Sequence, residues 1–271
     1  MPGRISQRDI LPSSIKRAQK FLSQETVDAI VTPSTKSAEG SHTDIQEALD
    51  YVNSLGGGTV FVKKGTYRTN SHIILHSNIN LIGEDAASTI IDFVQNNIQI
   101  YLDDSSLIHY NTGTLTLTNG SPTVSGSSTA WLTKISAGNY LELRGALYEI
   151  LSVDSDTSLT LKENYNGVTV SNVSYRIMSF LENIGIEDLT FRRLSGSSNT
   201  SMLYINQGKN VFLHNVISKS TTVTQATNGL RFLRCIGLRL NNCQSLNHSA
   251  NGFQIDNCTS GIISNCFAYN N

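Results

Sequence analysis

The chain has 271 residues and a formal net charge of −1, with 20 Lys and Arg against 21 Asp and Glu. That balance excludes the basic surplus that nucleic acid or an anionic membrane surface requires, and no apolar run reaches membrane-spanning length. Charged residues make up only 15% while Ser, Thr, Asn and Gly abound, a composition that suits the many small polar turns of a β-solenoid.

The length allows one elongated domain and a small extra one. The opening, MPGRISQRDILPSS, lacks the apolar core of a signal peptide, so export by a cleaved leader is not expected from these residues. Residues 1–42 read as polar and irregular, with one short helical pattern. Ser13 or Ser14 caps it, and Ile15, Ala18 and Leu22 follow at helical spacing. So short a helix is marginal alone and needs a partner: its own domain, a sister subunit or another protein.

Thr43 to Leu55 carries the strongest helix signal. Thr43 and Gln46 form a T-x-x-Q capping box, and Ile45, Ala48, Leu49, Val52 and Leu55 make one apolar stripe. Gly56, Gly57 and Gly58 end it. They follow a helix and precede a strand, the reverse of a phosphate-binding loop. The next predicted strands are Thr59–Val62, Ile73–Leu75, Ile79–Ile82, Thr89–Phe93 and Ile98–Tyr101.

DIQEALDYVNSLGGGTVFVKKGTY, followed by SNINLIGED and STIIDF, resembles the opening of the pectate-lyase-like superfamily of right-handed parallel β-helices. The resemblance implies that the amphipathic helix plugs the open first coil and that the GGTV strand starts the solenoid. Physically, the Ile45/Leu49/Val52 stripe would cover apolar interior that an uncapped coil exposes to water. Members of the superfamily include pectate lyases, polygalacturonases, epimerases and phage tailspikes, so the resemblance implies a fold more than a function.

Residues 108–178 break the pattern with short strands and dense turn signals. They read as a compact β insertion looped out of one coil. TNGSPTVSGSSTAW, SAGNYLELRGALYEI and SDTSLTL resemble a small β module common in phage tail and appendage proteins. Trp131, the only Trp, is a candidate glycan platform there, although burial in the module's core is the expected place for it.

From Leu181 onward the chain repeats. IGIEDLTF, VFLHNVIS, LRLNNCQS and IISNCFAY align so that Ile186, Leu213, Leu240 and Ile263 share one column. Asp188, Asn215, Asn242 and Asn265 share the column two residues on, and the steps are 27, 27 and 23 residues. Such periods mark a solenoid, and alternation of apolar residues marks its unit as strands. Stacked parallel strands put like over like at about 4.8 Å. The apolar column is expected to face inward. The Asp/Asn column, being two residues further, is expected inward too, as an amide ladder; the alternative is that Asn simply marks turns. Cys235, Cys243, Cys258 and Cys266 repeat at the coil step and so form two stacked pairs. Parallel columns do not converge on a metal, and stacking suits a disulfide poorly, so buried free thiols are expected.

Glycoside hydrolysis needs two carboxylates about 5–5.5 or 6.5–9.5 Å apart. After Leu181 the acids are Glu182, Glu187, Asp188 and Asp256. Glu187 and Asp188 are strand neighbours, which point to opposite faces. Asp256 aligns with Asn206 on another strand. Asp92, Asp103 and Asp104 precede the insertion and could approach Glu187 from adjacent coils. A calcium-dependent lyase would add an Arg, and Arg192, Arg193, Arg231, Arg234 and Arg239 are available, but the acids are too sparse for a metal site. His42, His72, His76, His109, His214 and His248 show no metal-ligand spacing, and His214 belongs on an exposed polar face. No cofactor or metal is expected. The catalytic candidates are Glu187, Asp188 and Asp256.

The expected organisation is an attachment segment at 1–42, the β-helix cap and first coils at 43–107, the inserted module at 108–178 and further coils at 179–271. The expected function is that of a phage tail fibre or tailspike in the virion tail. Such a protein would be a homotrimer, attached to other tail or baseplate proteins through 1–42, displaying its β-helix to a host surface polysaccharide. The alternative is a secreted or virion-borne lyase or glycoside hydrolase, and a third reading makes the β-helix a rigid spacer. Without a carboxylate pair, little depolymerase activity is expected of this chain. Nothing near Asn271 resembles a cap, so the solenoid is expected to continue past it.

Overall fold

The computed structural model describes residues 27–33, 41–42, 44–95, 97–103, 105, 107–194, 200–221 and 228–270. The helical pattern around Ile15 to Leu22 lies outside them. The chain forms two units, Met1–Asp103 with Leu181–Asn271, and Asp104–Phe180.

The first unit is a parallel β-helix whose coils run through three sheets. The long sheet stacks eight strands in the order Ser41–His42, Ala29–Val31, Gly58–Val62, Ile79–Gly83, Leu181–Glu187, Gly208–His214, Arg239–Asn241 and Ile262–Ser264. The second sheet stacks Gly65–Thr69, Thr89–Phe93, Thr190–Arg193, Ile217–Ser220, Gln244–Leu246 and Phe267–Tyr269. The third stacks Ile73–Leu75, Ile100–Leu102, Ser201–Asn206, Asn228–Leu233 and Phe253–Asp256. The predicted column is the observed register: Val60, Leu81, Ile186, Leu213, Leu240 and Ile263 pair in succession. The members from Val60 to Leu240 are buried, and each such side chain contributes roughly 1.5–3 kcal/mol by leaving water. Ile263, expected inside, is 53% exposed, because no described strand covers the last coil.

Three expectations need correction. Gly65–Thr69 is a strand that polar GTYRT concealed. Ala29–Val31 and Ser41–His42, within the stretch read as irregular, are strands of the long sheet. The predicted Ile98–Tyr101 strand is Ile100–Leu102.

Helix α1, Ile45–Ser54, buries Ile45, Ala48, Leu49 and Val52 against Ala29–Val31, Gly58–Val62 and Ile73–Leu75. Leu55, read as part of the stripe, lies beyond the helix and is exposed. The capping box is also corrected. Asp44 is the N-cap, accepting from the Gln46 and Glu47 amides at 2.7 and 3.2 Å. That frees Gln46 for another task. Its Oε1 accepts from Ile74 N at 2.7 Å and its Nε2 donates to Ile74 O at 3.3 Å. Ile74 sits in the edge strand of the third sheet, so one side-chain amide stands in for the peptide of a missing strand. Gly57 ends the turn at φ +125°, where a Cβ would collide with Asn78.

The second unit is an antiparallel sheet of eight strands, in the order Val170–Val173, Thr114–Leu117, Thr123–Ser127, Ser158–Leu161, Ala146–Ser155, Tyr140–Leu143, Arg176–Met178 and His109–Tyr110. Its core gathers Leu115, Leu117, Val124, Leu141, Leu159 and Ile177 around Trp131. Trp131 opens a one-turn helix, Trp131–Lys134. No helix among the described residues is long and apolar enough to cross a membrane.

Candidate functional site

The polar columns explain how the coils turn and what they show to solvent. Asp188, Asn215, Asn242 and Asn265 all have φ between 53 and 55°. Asn and Asp tolerate this left-handed conformation better than other non-glycine residues. The column does form a ladder: Asn215 Nδ2 donates to Asp188 Oδ1 at 2.6 Å, and Asn242 Nδ2 to Asn215 Oδ1 at 3.1 Å. It does not face the interior, however. Asp188 and Asn215 are half-buried, and Asn242 and Asn265 are exposed. One left-handed residue interrupts the alternation, so the inward place passes to the next residue: Leu189, Val216 and Cys243 are buried. Turn marker and ladder are thus the same residues.

A second ladder went unseen in the sequence. Asn78, Asn183 and Asn210 have φ of 61, 59 and 55°; Asn183 donates to Asn78 at 2.8 Å and Asn210 to Asn183 at 3.1 Å. Beside it on the outer face of the long sheet runs the column Asn80, Gly185, Phe212, Arg239. Gly185 provides the gap. A Cβ there would meet Asn80 Oδ1, and beside it lies a groove of about 320 Å³ lined by Asn78, Asn183 and Asn210 of this ladder, by Asn80, and by Ile184 and Phe212. The Phe212 ring stacks near-parallel on His214, centroids 6.1 Å apart and planes at 11°. Glu187 pairs in register with His214, and Lys209 Nζ holds Glu182 at 3.0 Å on the other flank. Amides that both donate and accept, next to an aromatic ring and without a dominant charge, suit a neutral hydroxylated ligand such as a saccharide.

The sequence candidates do not converge. Glu187 is half-buried on the long sheet, and Asp188 belongs to the ladder. Asp256 lies on the third sheet in register with Leu233 and Asn206 and accepts from Gln254 Nε2 at 2.8 Å. Asp92 is on the second sheet, buried, and holds Arg192 by bonds of 2.6 and 2.8 Å. Asp103 lies 3.6 Å from His76, and Asp104 is outside the described residues. The acids are spread over three faces, because a period-two strand and a three-sheet coil send neighbours in different directions. Trp131 is 0% exposed and donates to Tyr175 Oη at 2.9 Å, so its ring offers no face to a sugar. Among the described residues no group of three or more His, Cys, Asp or Glu could hold a metal.

The third sheet presents another outer column, Ile74, Tyr101, Tyr204, Arg231 and Gln254. Arg231 lies over the Tyr204 ring at 5.1 Å, and His72 meets Tyr101 edge-on at 5.3 Å. The four cysteines are free, Cys235 and Cys243 buried, Cys258 and Cys266 half-buried rather than buried as expected. Each buried one donates its backbone N–H to the sulfur above it, Cys235 to Cys258 at 3.3 Å and Cys243 to Cys266 at 3.4 Å.

No protein-family model and no curated protein sequence matches the chain. Solved structures do. The tailspike of Pseudomonas phage phi297 is 15% identical, with a TM-score of 0.58 over 92% of this chain and 48% of its own. The tailspike of Pseudomonas phage LKA1 is 14% identical, with a TM-score of 0.48 over 82% of this chain and 44% of its own. The tailspike of Acinetobacter baumannii bacteriophage AP22, solved with a capsular saccharide, is 15% identical, with a TM-score of 0.40 over 95% and 47%. The chain spans about half the length of these tailspikes. What it shares with the first of them is the fold, a parallel β-helix.

Proposed function

We propose that the protein is a tail fibre or tailspike component of a phage virion, and that the outer face of its long sheet binds a host surface glycan. The groove at Gly185 carries this reading, because it joins an aromatic wall at Phe212 to the amides of Asn80, Asn183 and Asn210. The virion tail is the location this implies. Residues 1–42 would attach to other tail or baseplate proteins, and the working form would be a homotrimer. Calorimetric titration with capsular and lipopolysaccharide glycans of candidate hosts tests the binding. Phe212→Ala should abolish it while leaving the fold intact, and equal affinity in wild type and variant refutes the site. Light scattering tests assembly, and a stable monomer at micromolar concentration refutes the trimer.

The enzymatic alternative has one observation in its favour, Glu187 flanking the groove in register with His214. The other described candidates, Asp92 and Asp256, lie on other sheets, so little sugar release is expected from host polysaccharide. Robust turnover lost in Glu187→Gln would establish the enzyme instead.

A further inference from the structure

Inside the β-helix one compartment is polar. The inward column of the second sheet runs Tyr67, Ile91 and Phe191, then changes to Ser218 and Ser245. The inward column beside it runs Thr69, Phe93, Arg193 and Ser220. Serine hydroxyls therefore follow where the preceding coils place phenyl rings, which makes this stretch of the interior polar. His248 lies here, fully buried, its Nε2 at 3.0 Å from Ser218 Oγ.

Arg193 is 1% exposed. Its Nη2 donates to Ile98 O at 2.7 Å and its Nε to Met202 Sδ at 3.2 Å. Nη1 is buried with no partner. Neither acceptor carries a charge. Asp92 is one residue off in the neighbouring strand, on the opposite face of the sheet, and Arg192 already holds it. His248 adds no negative charge and is itself kept neutral: burial first, then the Arg193 charge, pushes its pKa down to about 4 against the pull of a bond to the Ser218 backbone. A guanidinium does not lose its proton in such a place. A buried charge is tolerated when a countercharge or a full set of bonds accompanies it, and among the described residues Arg193 has neither.

We propose that this compartment binds a small monovalent inorganic anion, a halide such as chloride, at Arg193 Nη1. A single uncompensated guanidinium matches a singly charged anion. Water fills such a place but leaves the charge uncompensated. The inference is independent of the glycan reading.

Two measurements on the full chain test it. Thermal unfolding is followed at constant ionic strength while sodium gluconate is replaced by sodium chloride or bromide. The midpoint should rise by several degrees and continue rising with the logarithm of halide concentration. Arg193→Met, which fills the space without charge, should remove the dependence. Should that variant fail to fold, crystals of the wild-type protein grown in bromide decide the matter alone. An anomalous peak in hydrogen-bonding range of Arg193 Nη1 supports the proposal. A bromide-free map there, or a midpoint equal in gluconate and halide, overturns it.

Discussion

The solenoid and the inserted module solve the same packing problem in opposite ways. In the solenoid, Leu213 lies between Ile186 and Leu240, near copies of itself, and no residue is a centre. In the module, eight antiparallel strands close on one hub. Trp131 fills the middle, is bonded to Tyr175 Oη and meets that ring edge-on at 6.0 Å; Tyr175 in turn donates to Thr112 O at 2.6 Å. Stability in a stacked array is close to a sum of neighbour terms, whereas a hub concentrates it. Damage should stay graded in the first and be catastrophic in the second.

The largest expected effect is therefore Trp131→Ala. It should cost about 3–5 kcal/mol and unfold the module, seen in calorimetry as loss of one transition while the solenoid transition stays in place. If both transitions fall together, the contrast between the units is wrong.

A smaller effect concerns pH. His248 has a folded pKa of about 4 against an ordinary 6.5. Below 6.5 the unfolded chain takes up a proton that the folded chain refuses. Stability present above pH 6.5 should thus decline as pH falls and stop declining below about 4, a total of about 3 kcal/mol. Denaturant titrations of wild type and His248→Gln at pH 7 and 4.5 isolate it, since titrations shared by both proteins cancel. Equal pH dependence would mean that the imidazole is not sealed in the interior.

Asn215→Ala tests the ladder. It removes bonds to Asp188 and from Asn242 and puts alanine at φ 53°, for about 2 kcal/mol. Asn215→Gly keeps the turn and loses only the ladder, so about 1 kcal/mol is expected. Equal losses would show that the bonds matter and the backbone conformation does not. The smallest effect is Gln46→Ala, about 1 kcal/mol, with faster hydrogen exchange at the Ile74 amide. Unchanged exchange there would deny that Gln46 closes the sheet edge.

These differences also decide what was legible in the sequence. The Ile186 column was visible because stacking demands like over like at fixed intervals. Its partner at Asp188 was visible in position but misread in direction, since alternation alone does not reveal a left-handed residue. Asn183 and Asn210 repeat at the same 27-residue step, yet their ladder begins at Asn78, 105 residues earlier, beyond the reach of a short-period reading. Gly185 carries no signal in its own letter, and only the neighbours above and below make it a gap. Arg193 sat beside Arg192 as one of two similar letters. Alternation sends one outward to Asp92 and the other into the core, a distinction available only once the strand was placed on a sheet. The dispersal of the described acids over three faces follows from the coil geometry.

The register on either side of the module has a consequence for evolution. Ile79–Gly83 pairs directly with Leu181–Glu187, Leu81 against Ile186, as though nothing intervened. The solenoid therefore does not count the intervening residues. A recombination event that exchanged the module for another sequence with compatible ends would leave each later coil in phase. The chain can thus trade that cassette at little structural risk, while a single-residue insertion inside a strand such as Gly208–His214 would turn an entire face inside out. Variation among kindred chains should accumulate accordingly: whole replacements at the junctions, and near silence in strand length.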